Sequence, residues 1–269
     1  MKDCHVHTTM SYDGKATMQD YINVSGEKNV DEITFTEHYD LCENVNTIII
    51  PTNLEEYYNE YLRVKNNTKL KLNFGIEVGL QPDQVKELER TINNYPFDFV
   101  IGSSHIVQKI DIGDDKTFFE GRSQKEVYLI YLQEVLQNIK LYNNFDVYGH
   151  LDNIVRYGNY INKKIYYNDF REILDEILSE LIKKDKGLEI NSSGIGYGLG
   201  SPHPNIEILK RYKELGGKII TMGSDAHKSK ELAKNFDISF DILEQVGFDE
   251  ITIFHQRNPE FMKIKQLKK

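Results

Sequence analysis

Short apolar segments alternate with amphipathic segments along the whole chain, and this alternation constrains the fold most strongly. Strands are predicted at residues 2–7, 32–36, 70–76, 97–101, 146–148, 187–190, 218–221 and 251–254. Helical spacing of apolar residues occurs at 17–28, 54–66, 124–142, 170–184, 205–215 and 230–246, and Pro82 opens one more helix. Seven or eight successive βα units predict a parallel sheet, which we expect to close into a barrel as one domain, residues 1–269.

The composition excludes several classes of protein. The chain has 33 Lys and Arg against 42 Asp and Glu, a formal charge of −9, whereas a general nucleic-acid-binding protein carries a basic excess. No segment approaches the ~20 apolar residues that a membrane helix needs, and no signal peptide is evident. Cys4 and Cys42 make no disulfide framework. We therefore expect a cytoplasmic protein that binds neither nucleic acid nor membrane; nothing in the sequence specifies an oligomeric state.

Seven of the eight histidines fall at or just past the predicted C-terminal ends of strands. In a β/α barrel these ends form one mouth, so the side chains are expected to converge there. The two histidines of His5-Val6-His7 face the same way, since residues i and i+2 of a strand share a face. Imidazoles and carboxylates together are ligands for zinc, iron or manganese. The histidines and carboxylates at strand ends are His5, His7, His38, Glu77, His105, His150, Asp225, His227 and His255.

The chain contains, from one end to the other, the motifs Asp3-Cys4-His5-Val6-His7-Thr8, Asp13-Gly14, Phe35-Thr36-Glu37-His38, Gly75-Ile76-Glu77, Ser104-His105, Gly149-His150-Leu151-Asp152 and Gly223-Ser224-Asp225-Ala226-His227. These motifs resemble those of the polymerase and histidinol phosphatase (PHP) family. The segment from Gly149 to Tyr157, together with the segment from Glu189 to Gly194, is similar to the stand-alone histidinol-phosphate phosphatases of that family. The resemblance implies a distorted, TIM-like (β/α)7 barrel with up to three metal ions.

The same resemblance implies which residues hold each ion. Some relatives have histidine where Asp13 stands, and a carboxylate is also a competent ligand there. Zinc, iron and manganese all suit these nitrogen and oxygen donors. The first ion would bind His5, His7, Glu77 and Asp225; the second would share Glu77 and add His105 and His150; the third would bind Asp13, His38 and His227.

Two or three divalent cations held about 3.5–4 Å apart are typical of phosphoester cleavage. A water bridging two of them would lose a proton near neutral pH and attack phosphorus in line, while the ions neutralise the phosphoryl oxygens. The predicted catalytic residues are Asp225, His227 and Arg156. For protonation of the leaving alkoxide the candidates are Asp225, a metal-bound water and His203.

A phosphate monoester also favours guanidinium partners, which bind it bidentately. Arg156, six residues after His150, is the preferred partner, and Arg122 and Arg257 lie on other predicted mouth loops. His203 on the sixth loop is a further phosphate contact and Tyr39 a pocket residue, each weighed against an ordinary structural or solvated role. For His255 a structural role is favoured. The run Gly194–Gly200 indicates an active-site loop rather than a dinucleotide-binding turn.

The sequence therefore predicts a metal-dependent phosphatase acting on a small phosphate monoester. The resemblance implies L-histidinol phosphate as the substrate, released as L-histidinol and phosphate in histidine biosynthesis. One alternative is another PHP-type phosphoesterase that acts on a different small phosphate ester or a nucleotide. The other is a non-catalytic barrel that binds metal or accompanies a polymerase.

Overall fold

A computed structural model describes residues 1–42 and 49–268, and a parallel sheet lies at its centre. The strands that belong to this sheet begin within a few residues of the predicted positions. The strands are β1 (Lys2–Val6), β2 (Glu32–Asp40), β3 (Lys71–Gly79), β4 (Phe99–Ser103), β5 (Ile106–Val107), β6 (Ile110–Asp111), β7 (Val147–Tyr148), β8 (Gly187–Asn191), β9 (Ile220–Gly223), β10 (Glu250–His255) and β11 (Asn258–Lys263).

Seven of these strands form the barrel, in the order β1-β2-β3-β4-β7-β8-β9, and each neighbouring pair is parallel. The first strand and the segment after the last one meet through backbone hydrogen bonds. The Asp225 N–H donates to the His5 carbonyl at 2.9 Å, and the His7 N–H donates to the Ala226 carbonyl at 2.9 Å. The predicted (β/α)7 barrel is confirmed.

Helices connect the strands and begin at residues that cap them. Thr17 and Asp20 form a capping box at α1, and Ser123 and Glu126 form one at α4, so backbone N–H groups that the helix leaves unpaired are satisfied. The helix predicted at Pro82 begins at Val85 instead. The α-helices are α1 (Met18–Ser25), α2 (Leu54–Lys65), α3 (Val85–Asn93), α4 (Gln124–Leu141), α5 (Arg171–Lys183), α6 (Ser193–Gly196), α7 (Ile206–Glu214), α8 (Phe236–Val246) and α9 (Ile264–Leu267), and single 3-10 turns lie at Lys116–Phe119, Asn153–Arg156, Tyr167–Asp169 and Ser229–Glu231.

Strands β2 and β3 extend further than predicted and pair over their whole length. The register places His38 directly beside Glu77. Both residues therefore lie inside strands, near the C-terminal ends, where regular backbone hydrogen bonds hold them. Within the described ranges, no helix has the length and apolar character needed to cross a membrane.

The last predicted strand lies outside the barrel. β10 pairs in antiparallel fashion with β11, and the turn of this hairpin contacts residues that precede or begin the barrel strands. The Arg257 N–H donates to the Asp98 carbonyl at 2.9 Å, and His255 Nε2 lies 2.6 Å from Glu32 Oε1. The buried apolar residues of β10 therefore cover the N-terminal end of the barrel, opposite the mouth.

An ion pair fixes the hairpin turn to this N-terminal end. Arg257 Nε donates to Asp146 Oδ2 at 2.6 Å, and the Asp146 side chain is buried. The Arg257→Ala substitution removes this cation from a buried carboxylate, so we expect the free energy of unfolding to fall by about 1–3 kcal/mol in urea denaturation. The Arg257→Lys variant keeps the charge and should recover part of the loss. An alanine variant as stable as the parent protein would contradict a structural role for this pair.

Candidate active site

The predicted ligands converge at the mouth of the barrel, because all of them except Asp13 stand at or near the C-terminal end of a strand. They surround a cavity of about 360 Å³. His5 and Glu77 lie inside strands, and Asp13 is on the loop after β1. The predicted ligands whose side chains line the cavity are Asp13, His38, His105, His150, Asp225 and His227.

The Glu77 carboxylate is fully buried at the centre of this group. Ser103 Oγ donates to Oε1 at 2.7 Å. Burial alone would raise the pKa of Glu77, but the surrounding imidazoles hold it well below its ordinary value. One carboxylate shared among so many nitrogen donors is suited to bridge two cations. Oε1 lies 2.8 Å from His150 Nε2 and 3.3 Å from His105 Nε2, and Oε2 lies 3.0 Å from His38 Nδ1, 3.3 Å from His5 Nε2 and 3.5 Å from His7 Nε2.

Asp225 and Asp13 close the other side of the group. Asp225 Oδ1 lies 3.3 Å from His7 Nε2, and Asp13 Oδ2 lies 3.0 Å from His227 Nε2. Burial would lower the pKa of His227, but its hydrogen bond to Asp13 and the charge of Asp225 raise it to about 9. The Asp225 backbone has φ +54°, a left-handed conformation that a non-glycine residue adopts only at some cost.

Four overlapping groups of these side chains have the spacing of metal ligands, because the donor atoms in each group lie within 4.8 Å of one another. Among the described residues, buried atoms such as Glu77 Oε2, His38 Nδ1 and Asp13 Oδ1 have no partner in hydrogen-bonding geometry, although the first two lie 3.0 Å apart. Buried polar atoms without partners are costly, and a cation would satisfy them. The nitrogen and oxygen donors therefore fit divalent metal ions. The groups are His5, Glu77 and His150; His5, His7 and Asp225; His38, Glu77 and His105; and His7, His38 and His227.

Arg156 supplies a cation to the same cavity. Its guanidinium lies 3.9 Å from the centre of the Tyr197 ring, and Nη1 lies 3.2 Å from Asn153 Oδ1 and 3.8 Å from Asp225 Oδ2. These contacts hold the planar guanidinium beside the candidate metal ligands.

Three other predicted contacts lie elsewhere. The placement of Arg257 at the mouth is wrong, because the hairpin carries it to the N-terminal end of the barrel, as it does His255. Arg122 does not line the cavity; its Nη1 donates to the Phe118 carbonyl and its guanidinium covers the Phe118 ring. Tyr39 is also outside the cavity. Its hydroxyl lies 3.5 Å from Thr91 Oγ1 in α3, since residues alternate across β2 and Tyr39 faces away from His38.

His203 reaches the C-terminal end of β8 from the sixth loop. Its backbone forms two hydrogen bonds with Asn191, and its Nδ1 lies 2.5 Å from Asp152 Oδ1. Nε2 is buried with no partner among the described residues. The predicted glycine loop passes beside it, because a Cβ on Gly194 would lie 3.2 Å from this nitrogen. The start of that loop is helical, as α6.

Sequence reasoning missed several residues of the cavity wall. Tyr12, Asp111, Asp114 and Tyr157 line it. The two aspartates belong to the segment around the β5–β6 hairpin, whose two-residue strands are too short to produce a sequence pattern. Asp40 and Glu189, which contact the rings of His105 and His5, were missed as well. Their acidic side chains within buried strands were the available signal.

Comparisons with known proteins agree with this arrangement. Residues 3–193 match the model of the PHP domain. The chain is 32% identical over 250 residues to a probable histidinol-phosphatase of Clostridium acetobutylicum, covering 93% of this chain and 95% of that protein. It is 33% identical over 262 residues to the histidinol-phosphatase of Lactococcus lactis, covering 94% of this chain and 93% of that protein.

The fold of this chain is also similar to the folds of solved structures. The crystal structure of a histidinol phosphate phosphatase from Lactococcus lactis, complexed with zinc, L-histidinol and phosphate, has a TM-score of 0.89 at 31% identity, covering 96% of this chain and 98% of that chain. A putative histidinol phosphatase from Listeria monocytogenes, at 20% identity, shares the fold with a TM-score of 0.76, covering 88% of this chain and 99% of that chain. From the matched domain and the extent of these relatives, the chain belongs to the PHP domain family.

Proposed function

We propose that this chain is a metal-dependent phosphatase that hydrolyses L-histidinol phosphate to L-histidinol and phosphate, a reaction of histidine biosynthesis. The observation that carries the proposal is one cavity in which the imidazoles around Glu77 adjoin the guanidinium of Arg156. The Lactococcus lactis structure with zinc, L-histidinol and phosphate supports the substrate, since that protein is 31% identical over nearly the whole chain.

We propose that the cavity holds two or three ions of zinc, iron or manganese. The geometry around Glu77 supports the first ion on His5, His7, Glu77 and Asp225, and the second on Glu77, His105 and His150. For a third ion, Asp13, His38 and His227 are the candidates, and His7 lies in the same group. When bound, such ions supply an acidified water as nucleophile and neutralise the phosphoryl oxygens.

The side chains of the chain would orient the phosphate and move protons. Arg156, stacked on Tyr197 and fixed by Asn153, would bind the phosphoryl oxygens. Asp225 lies between this guanidinium and the imidazoles, so it can pass a proton at the reacting centre. His227, whose Nδ1 lies 3.6 Å from Asp225 Oδ1 at the cavity edge, is the neighbouring catalytic candidate. A metal-bound water and His203 are further candidates for protonating the leaving alkoxide, and Nε2 of His203 has no partner among the described residues.

The wall of the cavity suits a substrate with a cationic organic part. Asp111 and Asp114 provide negative charge, and Tyr12 and Tyr157 provide aromatic surface. L-histidinol phosphate carries an ammonium group and an imidazole ring beside its phosphate. The charge complementarity therefore favours this ester over one whose organic part is neutral or acidic.

We also propose that residues 1–269 act as one domain in the cytoplasm. Buried apolar residues from Cys4 to Leu267 belong to one cluster, which supports the first statement. Cys4 and Cys42 are free thiols, which is compatible with a reducing compartment.

A substrate panel tests the proposed reaction. With zinc or manganese added, kcat/KM for phosphate release from L-histidinol phosphate should exceed that for p-nitrophenyl phosphate or a nucleoside monophosphate by about 100-fold or more. The reason is that only L-histidinol phosphate has both a phosphate for the metal ions and a cationic organic part for the acidic, aromatic wall. Phosphate release is measured under identical metal and pH conditions. Equal kcat/KM values across the panel would contradict the assigned substrate, and no release from any ester would contradict a phosphatase.

Two histidines that each contact a carboxylate form a matched pair of mutants. His105 contacts Asp40 at the mouth, and His255 contacts Glu32 at the opposite end. The His105→Ala variant should lose about 100-fold or more in kcat, since a ligand that positions the electrostatic machinery is removed. The His255→Ala variant should keep the parental kcat. Circular dichroism checks that both variants fold, and a folded His105→Ala variant with parental activity would refute the site.

A further inference from the structure

We propose that Glu189, a residue outside the predicted ligand set, is a positioning residue that orients His5 and the His150 backbone and thereby sets the metal affinity of the mouth. This inference rests on the metal site proposed above. Glu189 lies in the middle of β8 with an exposure of 1%, and its side chain enters the barrel interior. An acidic residue in such a position is costly unless each oxygen is satisfied.

Both oxygens of Glu189 are directed to the ligand cluster. Oε1 accepts from His5 Nδ1 at 2.6 Å, and Oε2 accepts from the His150 N–H at 2.8 Å. Asn191 Nδ2 also donates to Oε2, at 3.1 Å. In the described part of the chain, His5 is the one ion-pair partner of this carboxylate. Glu189 therefore joins strand β1 to the segment after β7 across the barrel.

Gly223 at the end of the neighbouring strand β9 leaves room for this carboxylate. A Cβ on Gly223 would lie 2.4 Å from Glu189 Oε1 and 2.4 Å from the His5 Cβ. A side chain at Gly223 would thus displace either the Glu189 carboxylate or His5. Glycine at this position therefore permits the Glu189–His5 contact.

The contact determines which nitrogen of His5 can bind a metal. Because a carboxylate accepts from Nδ1, the proton of neutral His5 is on Nδ1, and the lone pair on Nε2 is available. Nε2 lies 3.3 Å from Glu77 Oε2, inside the cluster. The same relation recurs at His105, where Asp40 Oδ1 accepts from Nδ1 at 2.8 Å and a Cβ on Gly79 would collide with that carboxylate. Two independent strands thus use a buried carboxylate to present Nε2 to Glu77.

Zinc affinity, measured by competition with a chromophoric chelator, tests this role separately from activity. Removing an outer partner of a metal-bound histidine typically weakens metal binding, so Glu189→Gln should raise the zinc dissociation constant about 10–100-fold. The absorption spectrum of the Co²⁺-loaded variant should also change, since His5 would be reoriented. The matched control is Asp146→Asn, which removes a buried carboxylate at the opposite end of the barrel and should keep the parental affinity and spectrum.

The outcomes separate this inference from the proposed function. Parental zinc affinity in a folded Glu189→Gln variant would overturn the positioning role and leave the phosphatase intact. An equal loss of affinity in Asp146→Asn would overturn it too, because the effect would then be general destabilisation. Absence of zinc binding by the parent protein would instead overturn the proposed function. If Glu189→Gln does not fold, Glu189→Asp keeps the charge but loses the reach to both partners, and the same weakening is expected.

Discussion

The negative charge of Glu77, fully buried at the barrel mouth, is the constraint on which the rest of the site depends. An ionised carboxylate in the interior costs several kcal/mol unless positive charge surrounds it. Imidazoles from four strand ends face its two oxygens, and they would provide that charge as imidazolium groups or as ligands of a bound cation. Against the effect of burial, the neighbouring carboxylates raise the pKa values of His5 and His105. A divalent cation competes with these protons, so metal binding and the protonation of the cluster are coupled.

The residues that close the barrel also belong to the candidate metal site. The backbone hydrogen bonds that join the first strand to the segment after the last one involve His5, His7 and Asp225, which are also metal-ligand candidates. Glu189 adds a contact across the interior, from His5 to the His150 backbone. The opposite end has a different role, since the hairpin there is held by the ion pairs of Arg257 and His255. This division agrees with the general rule that β/α barrels place chemistry at the C-terminal ends of strands and stability at the other end.

Sequence patterns were sufficient to predict the barrel, because strand periodicity indicates where each strand ends. The candidate ligands came from the resemblance to the PHP family, and the structure brings them together at the mouth. These patterns could not predict which strands pair, because an apolar segment shows that a strand is buried and does not show which strand lies beside it. Residues 251–254 have the apolar character of a barrel strand, yet they pair with β11, and this moved Arg257 and His255 away from the mouth. The prediction that Tyr39 lines the pocket was wrong for a different reason. Side chains alternate along β2, so Tyr39 and His38 point to opposite faces of the strand. The hairpin that carries Asp111 has no periodicity to detect, whereas Glu189 was visible as an acid within a buried strand.

Anomalous diffraction from crystals grown with zinc and phosphate tests directly whether metal ions bind around the Glu77 carboxylate. Two or three anomalous peaks are expected at the mouth, at least two of them within ligand distance of the Glu77 carboxylate, with phosphate between the ions and Arg156. Data collected above and below the zinc absorption edge identify the element in each peak. Crystals with ordered side chains but no anomalous peak within ligand distance of Glu77 would contradict a metal site built around this carboxylate.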